Sequence, residues 1–260
     1  DGFTEEDNVE IKRVGDPLAE GTSHDVLGET LDIIDTARGT KVSGARFGYL
    51  KGKGAMLELS LIRWAMDHLV AGGFTPMIPP VMVRKEALEG TGFFPEAREQ
   101  VYEIPKDELY LVGTAEVPLA AYHADEILEA DELPVRYAGF STCFRREAGT
   151  YGKDTAGIFR VHQFDKVELV RYCTPETSSD QLELLLGHAE AVLQRLRLPY
   201  RVLVLASGDI GFSSAKTYDL EVWAAGVDTW LEVSSASACT DFQARRANIR
   251  YRTEPGAKPE

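Results

Sequence analysis

Cysteines are few in this chain, and their spacing is not typical of a disulfide framework. The 260 residues contain three of them, Cys143, Cys173 and Cys239, and no two form a CxxC pair. An odd number of widely separated cysteines is more typical of reduced thiols than of paired ones. We therefore expect free cysteines and a cytoplasmic protein.

Long apolar runs and an excess of positive charge are also missing. No apolar stretch approaches the roughly 18 uninterrupted residues that a membrane helix requires, and no basic leader precedes one. Lys and Arg number 28 against 42 Asp and Glu, which gives a formal net charge of -14. This balance argues against a general affinity for DNA or anionic membranes, because such binding depends on basic side chains. An anionic ligand would have to meet a local group of cations.

Phosphate-binding loops and interdomain linkers are absent too. The sequence contains neither GxxxxGK[ST] nor a strand-associated GxGxxG, so an ATP site would have to be built differently. No linker rich in Pro, Gly or Ser and no repeat divides the chain, which favours one domain over residues 1–260. The start, DGFTEEDNVE, and the end, RTEPGAKPE, are typical of cuts from a longer chain.

Apolar periodicity predicts two amphipathic helices. The first covers residues 54–70, with apolar side chains three or four positions apart, and two glycines follow it. The second begins near Thr174 and Pro175, a plausible cap and first-turn pair, and ends before Pro199.

Strand-like runs occupy much of the remaining chain and do not alternate regularly with helices. Two pairs of them flank hairpin connections, one at AAGVD and a longer one after Phe144. Antiparallel hairpins with separate helices are typical of α+β layers, so we predict an antiparallel β-sheet flanked by helices. The strand-like runs are residues 110–112, 135–142, 158–172, 200–205, 218–223 and 229–234.

The stretch FRREAGTYGKDTAGIFRVHQFDKVE carries many cations for an acidic chain. Arg145 and Arg146 precede Glu147 and a Gly-containing loop, which adds Lys153 and Arg160. A guanidinium can hold a phosphate or a carboxylate with two hydrogen bonds, and glycine allows close backbone approach. A solvated turn with ordinary surface charges explains the same composition.

Alternation along VHQFDKVE predicts which of its side chains share a face. Phe164 and Glu168 fall on the same face, so the aromatic ring could stack on a base while the carboxylate pairs with a ligand ammonium or hydroxyl. A core aromatic and a salt-bridged buried acid are the alternative. The two sets are Val161, Gln163, Asp165 and Val167, and His162, Phe164, Lys166 and Glu168.

Two further polar segments are candidates for ligand binding. Glu232 and Ser234 fall on one face of a predicted strand, followed by Ser235, and hard oxygen ligands suit magnesium on phosphates. A polar edge strand is the alternative. Thr114 and Glu116 follow a short apolar strand, where Thr114 is also a credible helix N-cap.

Five segments in this order resemble the catalytic core of bacterial-type seryl-tRNA synthetase, a class II aminoacyl-tRNA synthetase. They are GTGFFP, VGTAEVPL, the FRRE segment, TYDLEVW and LEVSSASACTDFQARRANIRYR, and the resemblance runs from about Asn8 to Arg252. GFTPMIPPVMV resembles the first class-defining motif, in which Pro80 would be the characteristic proline of the dimer interface.

The resemblance implies an antiparallel sheet with flanking helices in a homodimer that activates L-serine with ATP and magnesium and charges tRNA(Ser). Arg145 and Glu232 would be catalytic, with Arg145 on the serine carboxylate and the α-phosphate. Thr114, Glu116 and Glu168 would bind the serine ammonium and hydroxyl. The implied ATP-binding residues are Arg145, Arg146, Glu147, Val161, Phe164, Glu232, Val233, Ser234 and Ser235, of which Glu232 and Ser235 would hold Mg²⁺.

The match departs from the family pattern in three ways. The Gly-rich third motif after Arg252 is absent, as is the N-terminal coiled-coil arm that grips tRNA, and Ala238 replaces an Asn. One alternative is a tRNA-independent ligase that loads amino acids onto carrier proteins, often with zinc. Another is a non-catalytic paralogue. We expect no zinc, since Cys143 and Cys239 are distant in sequence and such cysteines are more often buried than metal-bound.

Overall fold

The computed structural model describes residues 2–149 and 157–260 of the chain. The predicted contributions of Gly152 and Lys153 to the loop therefore lie outside the described residues. Within the described ranges, no helix is both long and apolar enough to cross a bilayer.

The helices vary widely in length, and two of them are long. The α-helices are α1 (His24–Thr30), α2 (Thr36–Ser43), α3 (Lys53–Ala71), α4 (Lys85–Gly90), α5 (Glu116–Ala120), α6 (Ser178–Leu196) and α7 (Phe242–Arg246). Short 3-10 helices lie at Glu5–Asp7, Arg98–Gln100, Ala130–Glu132 and Pro175–Thr177.

The strands form several small sheets in which antiparallel pairing predominates. The strands are β1 (Val9–Val14), β2 (Ile34–Asp35), β3 (Tyr49–Leu50), β4 (Thr75–Met77), β5 (Met82–Arg84), β6 (Glu103–Ile104), β7 (Leu109–Leu111), β8 (Ile127–Glu129), β9 (Val135–Phe144), β10 (Gln163–Tyr172), β11 (Tyr200–Val204), β12 (Lys216–Ala224), β13 (Thr229–Ala238) and β14 (Arg250–Arg252).

Two sheets contain most of the strand residues. One has the antiparallel order β1-β11-β12-β13, and the other has the order β10-β9-β4. In the second sheet, β9 and β10 are antiparallel, whereas β4 runs parallel to β9. A smaller antiparallel sheet, β5-β7-β6, leads into α5, and β8 pairs in parallel with β14.

The long helix α6 packs against both principal sheets. Leu182, Leu186 and Leu193 join Tyr200 and other buried residues of β11 to β13 in one core cluster. Leu185 contacts that cluster and also a second one, in which α3 packs on β9 and β10. Burial of this continuous apolar area holds the helices on one side of the sheets and provides the main driving force for folding.

The predicted elements are largely confirmed, and the largest boundary error is at the start of β10. The first helix covers Lys53–Ala71. At the second, Thr174 and Pro175 begin a 3-10 turn that leads directly into α6. The strand predicted from residue 158 is wrong at its start, because the ladder with β9 begins only at Gln163.

Candidate active site

Strand β10 divides its side chains between the core and the opposite face. Val167 and Leu169 pack in the cluster beneath α3. Phe164, Lys166 and Glu168 alternate with them and therefore lie on the opposite face. The shared face predicted for Phe164 and Glu168 thus agrees with the packing of their neighbours.

Three side chains on this face form a compact hydrogen-bonded group. Thr114 Oγ1 donates to Glu168 Oε2 over 2.6 Å, and Lys166 Nζ lies 2.7 Å from the same oxygen. Lys166 Nζ also donates to Thr114 Oγ1 over 3.2 Å. Thr114 is buried, and the Glu168 side chain is 16% exposed, so a charged carboxylate is held largely out of water by two donors.

Glu116 adds a second carboxylate to this group. Its backbone N–H donates to Thr114 Oγ1 over 3.2 Å, so the Thr114 hydroxyl takes part in the helix start as well as in the site. Burial and the nearby Glu168 carboxylate raise the pKa of Glu116 above its ordinary value. Gln243 of α7 donates to Glu116 Oε1 over 2.7 Å, which partly offsets that effect.

Arg145 lies at the end of β9, beside this group. Its Nε donates to the Gly113 carbonyl over 3.0 Å, and its guanidinium carbon lies 5.1 Å from the Phe164 ring centroid. Among the described residues, no carboxylate lies within ion-pair distance of Arg145. The backbone bond fixes one edge of the guanidinium and leaves its two terminal nitrogens available to a carboxylate or a phosphate.

Arg146 points to a different partner, although it is the next residue. Its guanidinium carbon lies 5.3 Å from the Tyr102 ring centroid. The Gln100 side chain fixes the backbone after Arg146. The side-chain amide of Gln100 donates to the Ala148 carbonyl over 3.0 Å, and the side-chain oxygen of Gln100 accepts from the Ala148 N–H over 3.1 Å. The start of the loop is therefore held by residues that follow the GTGFFP segment.

Glu147 lies in the same loop start with a left-handed backbone, φ 51°. Its carboxylate accepts from Arg160 over 2.9 Å, and its side chain is 9% exposed. Val161 is half-buried but precedes β10, so the strand alternation used to place its side chain does not extend to it.

The β12–β13 hairpin contains a bulge that determines which polar residues share a face. Glu221 pairs with Glu232, whereas the neighbouring Leu220 pairs with Ser234. Val233 is therefore an extra residue without a partner on β12. Such a bulge reverses the alternation beyond it.

The bulge makes one face prediction wrong. Ser234 lies opposite Leu220, a residue buried against α6, and so does not share a face with Glu232. Ser235 lies opposite Asp219, and Asp219 and Glu221 are two positions apart on β12. Cross-strand partners lie on the same face, so Glu232 and Ser235 come together there.

Asp219 is a further acid on this face. Its Oδ1 is buried and has no hydrogen-bond partner within the described residues. Burial and the neighbouring Glu232 carboxylate raise the pKa of Asp219 to about 6, although a hydrogen bond from Ser235 opposes the shift. An orphaned carboxylate oxygen beside a Glu and a Ser is suited to a hard cation or to its bound water.

Three other residues named in the sequence analysis differ in their exposure. Val233 is 51% exposed at the bulge. Ala238, which replaces the Asn of the family pattern, packs against the core cluster beneath α6. Pro80 is exposed in the connection between β4 and β5, close in sequence to Ile78, which is 87% exposed.

The cysteines are free and separate. Cys143 is buried in β9, where burial raises the pKa of its thiol. Burial raises the pKa of the Cys239 thiol to about 11, and the nearby Glu116 carboxylate adds to the shift. In the part of the chain that the structure describes, no group of three or more His, Cys, Asp and Glu side chains is arranged to hold a metal ion.

The sequence did not single out several side chains that build this site. Alternation places Lys166 on the correct face, and its charge is the available signal. Gln243 and Asp219 lie inside the recognised segments, but no local pattern assigns them a role. Gln100 and Tyr102 carry no local pattern that predicts their contact with a loop more than 40 residues away.

The family model for the tRNA synthetase class II core domain (G, H, P, S and T) matches residues 100–259. The chain belongs to the class II tRNA synthetase core family. The α+β prediction of an antiparallel sheet flanked by helices is thereby confirmed.

Named relatives of this class II core share about half of its residues. The serine--tRNA ligase of Halothermothrix orenii is 52% identical over 262 residues, covering 100% of this chain and 62% of the relative. That of Gemmatimonas aurantiaca is 54% identical over 256 residues, covering 97% of this chain and 60% of the relative. The chain thus spans about three fifths of the length of these curated relatives.

A solved structure has nearly the same backbone. The crystal structure of seryl-tRNA synthetase from Pyrococcus horikoshii complexed with ATP superposes with a TM-score of 0.97 at 45% identity, covering 100% of this chain and 63% of that chain. The structure of the cytoplasmic serine-tRNA ligase from Naegleria fowleri in complex with AMP gives 0.94 at 34% identity, with the same two coverages.

Proposed function

We propose that residues 1–260 form the catalytic domain of a serine--tRNA ligase, which activates L-serine with ATP to seryl-adenylate and transfers the seryl group to tRNA(Ser). The observation that carries this proposal is the buried Thr114–Glu168 pair beside the carboxylate-free Arg145. A cation next to a polar, acceptor-rich pocket suits a zwitterionic amino acid with a hydroxyl side chain. The serine--tRNA ligases that resemble the chain support the choice of substrate.

The proposed binding residues divide between serine and ATP, and Arg145 would contact both. Arg145 would bind the serine carboxylate and the α-phosphate. Thr114, Glu116 and Glu168 would bind the serine ammonium and hydroxyl. The ATP-binding set would be Arg145, Arg146, Glu147, Val161, Phe164, Glu232, Val233, Ser234 and Ser235, with Phe164 stacked on adenine and Glu147 on its amino group. Ser234 would contribute through its backbone, since its side chain lies opposite Leu220.

Activation needs no covalent bond to the protein. A serine carboxylate oxygen attacks the α-phosphorus of ATP, and the bond to the bridging oxygen breaks as diphosphate leaves with its electron pair. Arg145 would hold the attacking carboxylate and the α-phosphate together and would balance the charge that develops between them. Positioning and charge stabilisation of this kind supply most of the rate in such transfers.

A magnesium ion fits the donor set on β12 and β13. Glu232 and Ser235 share one face with the orphaned Asp219 Oδ1, all of them hard oxygen ligands. Mg²⁺ is typically held by one or two carboxylates together with substrate phosphates, so a complete cage of protein ligands is not required. When bound, the ion would neutralise phosphate charge; Glu232 and Ser235 would hold it, with Asp219 beside them.

Selection of serine over alanine would depend on the hydroxyl. When alanine binds, the second oxygen of the Glu168 carboxylate is left without a donor, so the free energy of a buried hydrogen bond is lost, and discrimination of this kind reaches about 10⁴. Threonine would be rejected by steric exclusion.

Exposed apolar side chains favour a homodimer. Met56, Leu57 and Leu59 of α3 are 61%, 58% and 57% exposed, and Ile78 after β4 is 87% exposed. Adjacent exposed apolar residues on a helix and its neighbouring strand are typical of an interface. We propose that this surface, with Pro80, joins two copies, and that the enzyme works in the cytoplasm.

Pyrophosphate exchange tests the proposed activation step. The full-length protein that contains this chain, supplied with ATP, magnesium and labelled diphosphate, should form labelled ATP when serine is added. Threonine, alanine and glycine should each give less than about a hundredth of that rate. Aminoacylation of a tRNA(Ser) transcript tests the transfer step.

Three outcomes would contradict the proposal. Absence of exchange with all four amino acids would favour a non-catalytic paralogue. Preferred exchange with glycine or alanine, or stoichiometric zinc in the purified protein, would favour the ligase that loads carrier proteins.

A further inference from the structure

Lys166 occupies the centre of the group proposed to bind the amino acid. Its Nζ lies 2.7 Å from Glu168 Oε2 and donates to Thr114 Oγ1 over 3.2 Å. Thr114 in turn donates to the same Glu168 oxygen over 2.6 Å. The Lys166 side chain is 36% exposed, so it is neither a free surface lysine nor a sealed core residue.

These contacts fix the direction of the hydrogen bonds. The Thr114 oxygen accepts from the Glu116 N–H and from Lys166, and both of these groups can only donate. The Thr114 hydroxyl proton must therefore point to Glu168 Oε2. Among the described residues, no hydrogen bond is made to the other oxygen, Glu168 Oε1. That oxygen is an acceptor available to a ligand donor.

The net charge of the group also depends on Lys166. Glu116 and Glu168 are the carboxylates, and Lys166 and Arg145 are the cations that act on Glu116. With both acids ionised, a bound amino acid whose carboxylate neutralises Arg145 leaves two carboxylates and Lys166, a net charge of one negative. One substrate ammonium balances that charge. Without Lys166 the two ionised acids would carry two negative charges, and repulsion between like charges favours uptake of a proton.

The surrounding elements add few other titratable groups. Cys143 of β9 and Cys239 after β13 are thiols whose burial raises their pKa, so both are neutral near pH 7. Gln243 of α7 is uncharged and bonds to Glu116. Burial disfavours the charged form of Lys166, but the Glu168 carboxylate and their hydrogen bond more than offset this and raise the pKa of Lys166.

We propose that Lys166 is a positioning residue for amino acid binding: it balances one carboxylate of the Glu116–Glu168 pair and directs the Thr114 hydroxyl so that Glu168 Oε1 accepts from the substrate. This inference rests on the proposed function and deepens it, because it explains why the pocket demands a ligand with a donor. Lys166 touches no reacting atom and acts through Glu168.

Lys166→Met tests the inference in the full-length protein. The variant keeps the length and apolar stem of the side chain but removes its charge. In serine-dependent pyrophosphate exchange at pH 7, the KM for serine should rise about tenfold or more, as for loss of a charged hydrogen bond, while the KM for ATP changes less than about twofold. Serine kcat/KM should also fall on acidification at a pH about one unit higher than in the unsubstituted protein, because the paired acids take up a proton more readily.

Two further variants separate positioning from a structural defect. Lys166→Arg keeps the charge and should restore the original pH profile. Lys51→Met provides a matched control, since Lys51 is 37% exposed and pairs with carboxylates outside the group, 2.5 Å from Asp32 and 4.0 Å from Asp35. It should leave the profile and both KM values unchanged. Equal rises of both KM values in Lys166→Met with an unshifted profile, or no change at all, would overturn the inference.

A second readout does not depend on activity. Carbon-13 NMR titration of labelled glutamate carboxylates, with Glu116→Gln and Glu168→Gln used for assignment, reports proton uptake by the pair directly. Lys166→Met should move that uptake to higher pH by about one unit. A shift without any serine exchange in the unsubstituted protein would refute the proposed function but retain the electrostatic role. Exchange without a shift would refute the role of Lys166 alone.

Discussion

Neighbouring arginines in this chain have different environments. Arg145 is tethered to the Gly113 carbonyl and lies over Phe164, whereas Arg146 lies over Tyr102. The planar fork of arginine can bond to a backbone oxygen with Nε while its terminal nitrogens bind a ligand. The single ammonium of lysine cannot do both. Their adjacent positions in the sequence do not distinguish the roles of the two arginines, but their contacts in the structure do.

Arg145→Lys should therefore reduce activation strongly although the charge is kept. We expect kcat/KM in serine-dependent pyrophosphate exchange to fall about 10²-fold or more, as for the loss of one preorganised donor at a developing charge. Arg38→Lys, at a 75% exposed arginine of α2 paired with Asp35, is the matched control and should have no effect. A loss of less than threefold in Arg145→Lys would show that the fork is dispensable.

Asp219 predicts a dependence of stability on pH. Its pKa is raised from 3.8 to about 6, so the folded chain holds this proton more tightly than the unfolded chain. Stability from the bound proton is fully present below about pH 4 and is lost as the pH rises through about 6. Asp219→Asn removes the charge, and in EDTA its Tm should exceed that of the unsubstituted protein by about 2 °C or more at pH 8.

The pH series and a control distinguish this cause from a general stabilisation. The gain in Tm of Asp219→Asn should shrink towards zero at pH 4. Asp67→Asn, at a carboxylate of α3 that is 60% exposed, should give no such trend. A gain that is the same at both pH values would contradict the explanation.

At the scale of elements, the bulge in β13 has a larger effect than any single side chain nearby. The extra residue, Val233, brings Ser235 onto the face of Glu232 and Asp219 and turns Ser234 towards the core. A regular strand would have done the reverse. Bulges of this kind change the face on which the following side chains lie. Here the change brings Ser235 to the face of Glu232, and these two residues are proposed to hold magnesium.

Inserting an alanine between Leu220 and Glu221 should disrupt the proposed magnesium site without removing any of its ligands. The inserted residue would give Val233 a partner and remove the bulge, which places Ser235 on the opposite face from Glu232, so the magnesium concentration for half-maximal exchange should rise about tenfold or more. Val233→Ala keeps the residue count and the bulge and should retain at least about ten times more activity than the insertion. Equal activity in the two variants would contradict a role for the bulge, provided that circular dichroism shows both to be folded.

At the scale of the whole molecule, the distribution of charge matters more than its sum. A net charge of -14 would repel an ATP polyanion at long range. Arg145, Arg146 and Arg160 nevertheless all lie in the connection between β9 and β10. The acidic surface then disfavours nonspecific anions, while this local group of cations admits a specific one.

The exposed apolar surface of α3 and β4 gives a prediction at the same scale. Leu57→Asp combined with Ile78→Asp should convert the proposed homodimer to a monomer, because two buried charges would face each other across the two-fold axis. Sedimentation velocity should show the mass halve. Val227→Asp, at a 45% exposed residue of the β12–β13 turn, should leave the mass unchanged. A monomeric unsubstituted protein would contradict the proposal outright.

Periodicity in the sequence was sufficient to determine the long elements and the faces of β10. A 3.6-residue repeat specified α3 and α6, and a two-residue repeat placed Phe164, Lys166 and Glu168 together, since both repeats are local properties of the backbone. The recognised segments also identified Arg145 and Glu232 as candidate site residues. These inferences needed no knowledge of distant contacts.

Tertiary structure alone determined how the separate segments meet. The bulge at Val233 depends on the register of β13 against β12, which alternation within one strand cannot reveal. Gln243 reaches Glu116 from a position 127 residues away, and Gln100 clamps Ala148 from 48 residues away. Such contacts form because folding brings these segments to one side of the sheets, and the free energy that holds them there comes from the cores beneath α3 and α6.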